Sequence, residues 1–216
     1  MNADTRVAHV RPETVDRTCI VLDVSALPTF GFSHRSLMWW STMGLMLIEG
    51  TVFAIAIVAY FYLRGLSDAW PPSSAPPDLL YGTLNTVILL VSGIPNHLAA
   101  RAAEREDLRS VRLWMVLCLA LGVAFQAVRA LEYLTLNTHW TQNAYGSIVF
   151  ALLTLHTVHM ITDFIDTAVL TVLMFTGPLS GRRYVDVNEN ADYWWFVVAA
   201  WIPIYFTIYL VPRFFP

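Results

Sequence analysis

Within 216 residues the chain holds five long, mostly apolar stretches, at 37–63, 79–100, 113–134, 145–175 and 193–210. Each is long enough to cross the ~30 Å hydrocarbon core of a bilayer as a helix, which takes about 20 residues. Lipid supplies no partner for a backbone amide or carbonyl, so each stretch has to close its hydrogen bonds within its own segment. The expectation is an all-α, polytopic membrane protein: a five-transmembrane-helix bundle spanning 36–216 behind a polar tail at 1–35. Composition agrees, with 56% hydrophobic and 13% charged residues, whereas soluble globular domains carry roughly 25% charged residues. A soluble single domain is excluded.

An odd number of spans places the termini on opposite sides. Arg6, Arg11, Arg17 and Arg35 precede the first span, Arg101, Arg105, Arg109 and Arg112 join the second to the third, and Arg182 and Arg183 join the fourth to the fifth. Only Arg64, Arg129 and Arg213 fall on the other side, so the positive-inside rule puts the N-terminus in the cytosol and the C-terminus outside. Trp39, Trp40, Trp114, Trp194 and Trp195 gather near the same inner ends, where amphipathic rings suit the headgroup layer. The tail, with Asp4, Arg6, Glu13 and Asp16, lacks the apolar core of a signal peptide and is expected to stay cytosolic. The connection through Pro71, Pro72, Pro76 and Pro77 is expected to run extended. No internal repeat is evident, which disfavours a repeat-built transporter.

All 13 basic residues are arginine, and against 16 acids they leave a net charge of −3, so no basic surface is offered to DNA or RNA. Cys19 and Cys118 show no CxxC spacing, which predicts neither a disulfide nor a cysteine metal site. No Gly-rich phosphate loop, G-x-S-x-G elbow or HExxH motif occurs. No catalytic residue is nominated.

What remains is a set of polar groups inside the spans. At 1.5 Å per residue, Glu49 lies about 18 Å from the start of span one and His156 about 16 Å from the start of span four, both near the midplane. A lone carboxylate there would cost several kcal/mol, so Glu49 is either neutral or held by a partner on a neighbouring helix. His156, His159, Asp163 and Asp166 follow at steps of three, four and three, along one face of span four. HxxH without an ExxH companion favours a polar seam facing another helix or subunit over a metal site, with the two aspartates close in depth to His97. On span three, Arg129 and Glu132 are i, i+3 neighbours, read either as interfacial snorkelling or as a specific contact.

These segments resemble a known family. Trp39-Trp40-Ser41-Thr42-Met43-Gly44 through Glu49-Gly50 to Ala54 is similar to the segment of cytochrome c oxidase subunit III, the haem-copper oxidase subunit III, that carries a carbodiimide-reactive glutamate, with Glu49 in that place. Leu84-Asn85-Thr86 to Ser92-Gly93 resembles the family's L-N-T-x-I-L-L-x-S-G, with His97 following as its membrane-end histidine. Gln126 with Glu132-Tyr133 resembles F-Q-x-x-E-Y at longer spacing, His156-Thr157-Val158-His159 resembles H-G-x-H-V, and Tyr193-Trp194-Trp195-Phe196-Val197 to Trp201 resembles Y-W-H-F-V-D-x-x-W. Three departures stand out: Trp195 and Val198 replace the usual histidine and aspartate, Thr157 replaces a glycine, and five spans stand where many relatives have seven, the missing ones being the N-terminal pair.

The resemblance implies a five-helix form, as in quinol oxidases and some bacterial cytochrome oxidases, in a bacterial inner membrane. It implies a non-catalytic subunit of a proton-pumping terminal oxidase that reduces O2, binding no haem or copper itself because both lie in partner subunits. Its main contact would be subunit I, with subunit II and small subunits as further partners, and it would support proton uptake. Glu49, Asn85, His97, Gln126, Glu132, Tyr133, His156, His159 and Asp163 are the expected buried polar positions. Bound phospholipid is expected near His97, Arg101, Arg105, Trp39 and Trp40, where a phosphate meets cations at headgroup depth. The rivals are an accessory protein of nitric oxide reductase, an autonomous metalloprotein using His156 and His159, and an ion pathway centred on Glu49.

Overall fold

The computed structural model describes residues 37–72, 75–177 and 181–214. The tail at 1–35, with Cys19 and the arginines before span one, lies outside the described residues. All regular structure among the described residues is helical: α1 (Leu37–Gly65), α2 (Leu79–Glu104), α3 (Leu108–Thr135), α4 (Ala144–Thr176) and α5 (Gly181–Tyr205), which runs through a π-turn at Phe206–Leu210 into α6 (Val211–Phe214). Five of these helical stretches are long and apolar enough to cross a membrane. The near end of the bundle is defined here by Leu37, Glu104, Leu108, Thr176 and Gly181, and the far end by Gly65, Leu79, Thr135 and Ala144.

Short polar side chains start three of the helices. Asp78 accepts from the Leu80 amide, Asp107 from the amide and hydroxyl of Ser110, and Asn143 from the Gly146 amide at 2.8 Å, each satisfying a donor that the first turn leaves open. At Asp107 those two bonds, the hydroxyl's first, hold the carboxyl below the usual carboxylate range.

Hydropathy placed the last span at 193–210, yet α5 begins at Gly181. Arg183, Asp186, Glu189 and Asp192 hide this helix from an apolar count, but Tyr184, Val187 and Ala191 recur at helical spacing and are buried. Tyr184 and Val187 pack with Ala99, Ala102 and Ala103 of α2, Val111 and Met115 of α3, and Leu170 and Met174 of α4, closing the near end. The main core lies farther along, around Phe53, Leu89, Phe125, Trp194 and Trp201. Helix α2 packs between α3 and α5, and α4 touches α1, α3 and α5. Helix α1 leans on α4 and α5 and exposes Leu47, Ile48, Ile55 and Val58 by 64–73%, a face suited to lipid.

Candidate functional site

The L-N-T and S-G residues of α2 form a seam with α5. Trp201 Nε1–H donates to Thr86 at 2.8 Å, Trp194 Nε1–H to Ser92 at 3.0 Å, and Asn96 to the Ala191 carbonyl at 3.0 Å. The two helices run antiparallel, so the pairs 86–201, 92–194 and 96–191 ascend one as they descend the other. Such bonds hold helices in lipid, where apolar side chains gain little by leaving one apolar surface for another.

Behind this seam lies a centre with full charges. The Glu132 carboxylate accepts from Asn85 Nδ2 at 2.6 Å and from the Tyr209 hydroxyl, and lies 3.0 Å from Arg129 Nη1. Both charged side chains are 1% exposed. The guanidinium carbon of Arg129 sits 4.2 Å from the Trp201 ring centroid and 4.9 Å from that of Phe125, a cation between aromatic faces. Its Nη2 donates to His156 Nδ1 at 3.4 Å, and His156 Nε2 lies 3.2 Å from the Val197 carbonyl. A guanidinium only donates and a carbonyl only accepts, so the imidazole is the neutral Nε2–H form. Of the two readings of Arg129 and Glu132, the structure selects the specific contact; snorkelling fails because the pair turns into the bundle.

Tyr209 had no signal among the sequence motifs. It reaches Glu132 because α5 passes through the π-turn, whose Val211 amide bonds back to the Phe206 carbonyl, shifting the register of the side chains. Pro203 and Pro212 bracket that turn, and neither offers an amide to an α-helical bond. Gly82 of α2 makes room, since a Cβ there would come within 2.5 Å of the Tyr209 ring.

A second centre lies nearer the midplane. Glu49 accepts from the Tyr193 hydroxyl at 2.7 Å, and its other oxygen is 3.5 Å from His159 Nε2. His159 Nδ1 lies 2.6 Å from the Leu155 carbonyl and must carry a hydrogen toward it. Its Nε2 therefore faces the Glu49 carboxyl across the α1–α4 contact, at the outer limit of a direct hydrogen bond. Of the two options for Glu49, a partner on a neighbouring helix is present. Asp163, one turn along α4, is 1% exposed and neither oxygen has a partner, whereas Asp166 is exposed and accepts from Asn190 at 3.3 Å.

All four nitrogens of His156 and His159 are thus engaged by different groups, and the HxxH pair does not converge on a common point. Tyr133 bonds Thr154 and Thr157 at 3.0 and 3.3 Å, tying α3 to α4 at the position where Thr157 replaces the family's glycine. Gln126 leaves its amide nitrogen buried without a partner. Val198 is buried in the core and Trp195 covers Gly93, so both departures from the family pattern act in packing. His97 lies outside the α4 stripe: it shares a groove at the near end with Arg101. Arg105 caps α2 and Trp39 and Trp40 pack edge to face on α1; none of the three lines that groove.

The family model for cytochrome c oxidase subunit III matches residues 35–212. The chain belongs to the cytochrome c oxidase subunit III family. Its relatives run from bacteria to animals. Cytochrome c oxidase subunit 3 of Thermostichus vulcanus is 27% identical over 172 residues, covering 78% of this chain and 85% of the relative. The probable cytochrome c oxidase subunit 3 of Mycobacterium tuberculosis H37Rv is 29% identical over 179 residues, 80% and 84% of the two chains. That of the hagfish Myxine glutinosa is 28% identical over 200 residues, 87% and 76%. The match takes in all five helices, so this subunit III is a multi-pass membrane protein that belongs to a complex with other oxidase subunits.

Proposed function

We propose that this subunit III has no reactive centre of its own and serves a proton-pumping haem-copper oxidase of a bacterial plasma membrane, bracing catalytic subunit I and its proton-uptake side. Haem and copper reside in the partners, and subunit II and small subunits complete the complex. The observation that carries this reading is how the Glu132 centre and the imidazoles of α4 are committed. Glu132 is ringed by Arg129, Asn85 and Tyr209, and both imidazoles of α4 are engaged within the bundle. Such groups are occupied in fixing helix positions and are not open to a substrate. The near end, with cations at headgroup depth, holds phospholipid in this reading.

The test is the oxidase complex purified with and without this chain, followed through many turnovers of O2 reduction. Complex lacking the chain is expected to begin at comparable activity and to inactivate sooner. Equal endurance of the two preparations would refute the bracing role.

A further inference from the structure

Helix α4 carries an acid that the bundle leaves uncovered within its apolar length. Asp166 is exposed, and the hydrogen bond it accepts among the described residues comes from Asn190 Nδ2 at 3.3 Å. Exposed apolar side chains continue on both sides of it. Val158, Ile161 and Ile165 lie toward the far end, exposed by 42–54%, and Val169, Val172 and Phe175, exposed by 53–58%, follow over roughly two and a half turns toward the near end. An aspartate has a single methylene and does not reach the headgroups across that distance, as a long arginine or lysine stem does. Acids within a crossing helix are costly in lipid and almost always face protein. The side of α4 that bears Asp166 therefore needs a protein cover that the described residues do not supply.

The rest of that side has the make-up of a surface on which helices pack. Val158, Ile161, Thr162, Ile165, Val169 and Val172 are all β-branched and exposed, with χ1 already fixed by the helix, so they lose little freedom when another helix packs on them. Ala151 and Thr154, also exposed, extend the ridge toward the far end with small side chains that permit close approach. No leucine of α4 is exposed, whereas α1 turns Leu45, Leu47, Phe61 and Tyr62 outward. From Ala151 to Val172 the ridge runs about 32 Å, the thickness of a hydrocarbon core.

Charge decides the occupant. A second copy of this chain, related by a two-fold axis along the membrane normal, would set Asp166 against Asp166, two like charges in one apolar layer. A helix with a guanidinium or ammonium at that depth satisfies the carboxylate and leaves Asn190 as its second donor. We infer that the outer face of α4 docks a transmembrane helix of another oxidase subunit, which carries an arginine or lysine opposite Asp166. The inference rests on the reading of this chain as a bracing subunit and names the face and the contact through which it braces.

The test uses the purified oxidase complex with photoreactive p-benzoylphenylalanine placed at Ile165 or Val169 on α4, and at Ile55 or Val58 on the outward face of α1 for comparison. The α4 positions are expected to join a different subunit, at a crossing helix with an arginine or lysine within one turn of the joined residue, as mapped by mass spectrometry. The α1 positions are expected to join lipid. Lipid adducts alone at α4, adducts with a second copy or with residues 1–36 of this chain, or a joined helix without a cation, overturn the proposal. Asp166→Asn keeps an oxygen for Asn190, so unfolding of the isolated chain in bicelles should not change. The same variant should wash out of the complex about tenfold faster, the worth of one charge-assisted hydrogen bond, and Asp166→Glu should stay bound. Destabilisation of the isolated chain by Asp166→Asn, or unchanged release from the complex, overturns the contact. Early inactivation of complex lacking the chain, combined with lipid adducts alone on α4, refutes this face and leaves the bracing role standing.

Discussion

His156 and His159 stand one helical turn apart on α4 and belong to centres of different kinds. Around His156 the charges are fixed: Arg129 does not lose its proton inside a protein, and Glu132 is held opposite it with both side chains 1% exposed. Around His159 there is no such cation among its bonded partners; Glu49 and His159, 13–17% exposed, stand 3.5 Å apart, and Asp163, one turn along α4, has no bonded partner. A permanent ion pair locks three helices and the π-turn into one arrangement. The second centre rests on one hydrogen bond from Tyr193 and a longer approach of His159. A closed ring of contacts and a looser pair are thus placed on opposite sides of one turn.

The sharpest way to break that contrast is Arg129→Met. Leaving Glu132 buried without its cation is expected to cost about 3–5 kcal/mol, read from reversible unfolding in bicelles, and adding Glu132→Gln should recover much of it. A single-variant loss below about 1 kcal/mol would place the first centre on the same footing as the second. Next in size, Tyr209→Phe removes a hydrogen bond to a carboxylate and is expected to cost about 1.5–3 kcal/mol; Gly82→Ala should produce a similar loss by pushing the Tyr209 ring away.

At the second centre Glu49→Gln preserves an acceptor for Tyr193 and is expected to cost no more than about 1 kcal/mol. Its informative readout is the nitrogen NMR of His159, which should shift when the facing carboxyl becomes an amide while His156 stays unchanged. Thr86→Val, which removes the acceptor of Trp201, is expected to cost about 0.6 kcal/mol, the average for polar contacts between membrane helices.

The smallest effect lies outside both centres. The depressed Asp107 carboxyl contributes stability above its ordinary titration range and loses it as pH falls through the lowered folded value. Asp107→Asn should flatten that acid-side dependence in a pH series of unfolding curves, by removing the small charge-dependent stabilisation at neutral pH.

Much of this architecture was legible because hydropathy over twenty residues reports directly on the lipid crossing. Helices α1 to α4 lie close to where that reading placed them, while the first half of α5 escaped it because Arg183, Asp186 and Asp192 share turns with the buried Tyr184 and Val187. Glu49 and His156 were recognisable as polar groups at depth, and Asn85 and Glu132 as positions in motifs that resemble the family's. Tyr209 was not, because a tyrosine near a helix end is ordinary until a π-turn redirects it. Gln126 and Tyr133 were named together with Glu132 but belong to other contacts, and His97 proved to belong with Arg101 and Glu104 in the near-end groove.

The amino-acid order by itself determined the number of crossings, the family and the list of groups that lipid would not tolerate, since each follows from local composition and short spacings. Which of those groups meet was decided only by how the five long helices pack against one another. Partnership depends on helix rotation and depth, and those are set by close approaches such as Gly82 beneath Tyr209 and Gly93 beneath Trp195. A glycine in the chain announces only that room exists; the tertiary structure decides what fills it.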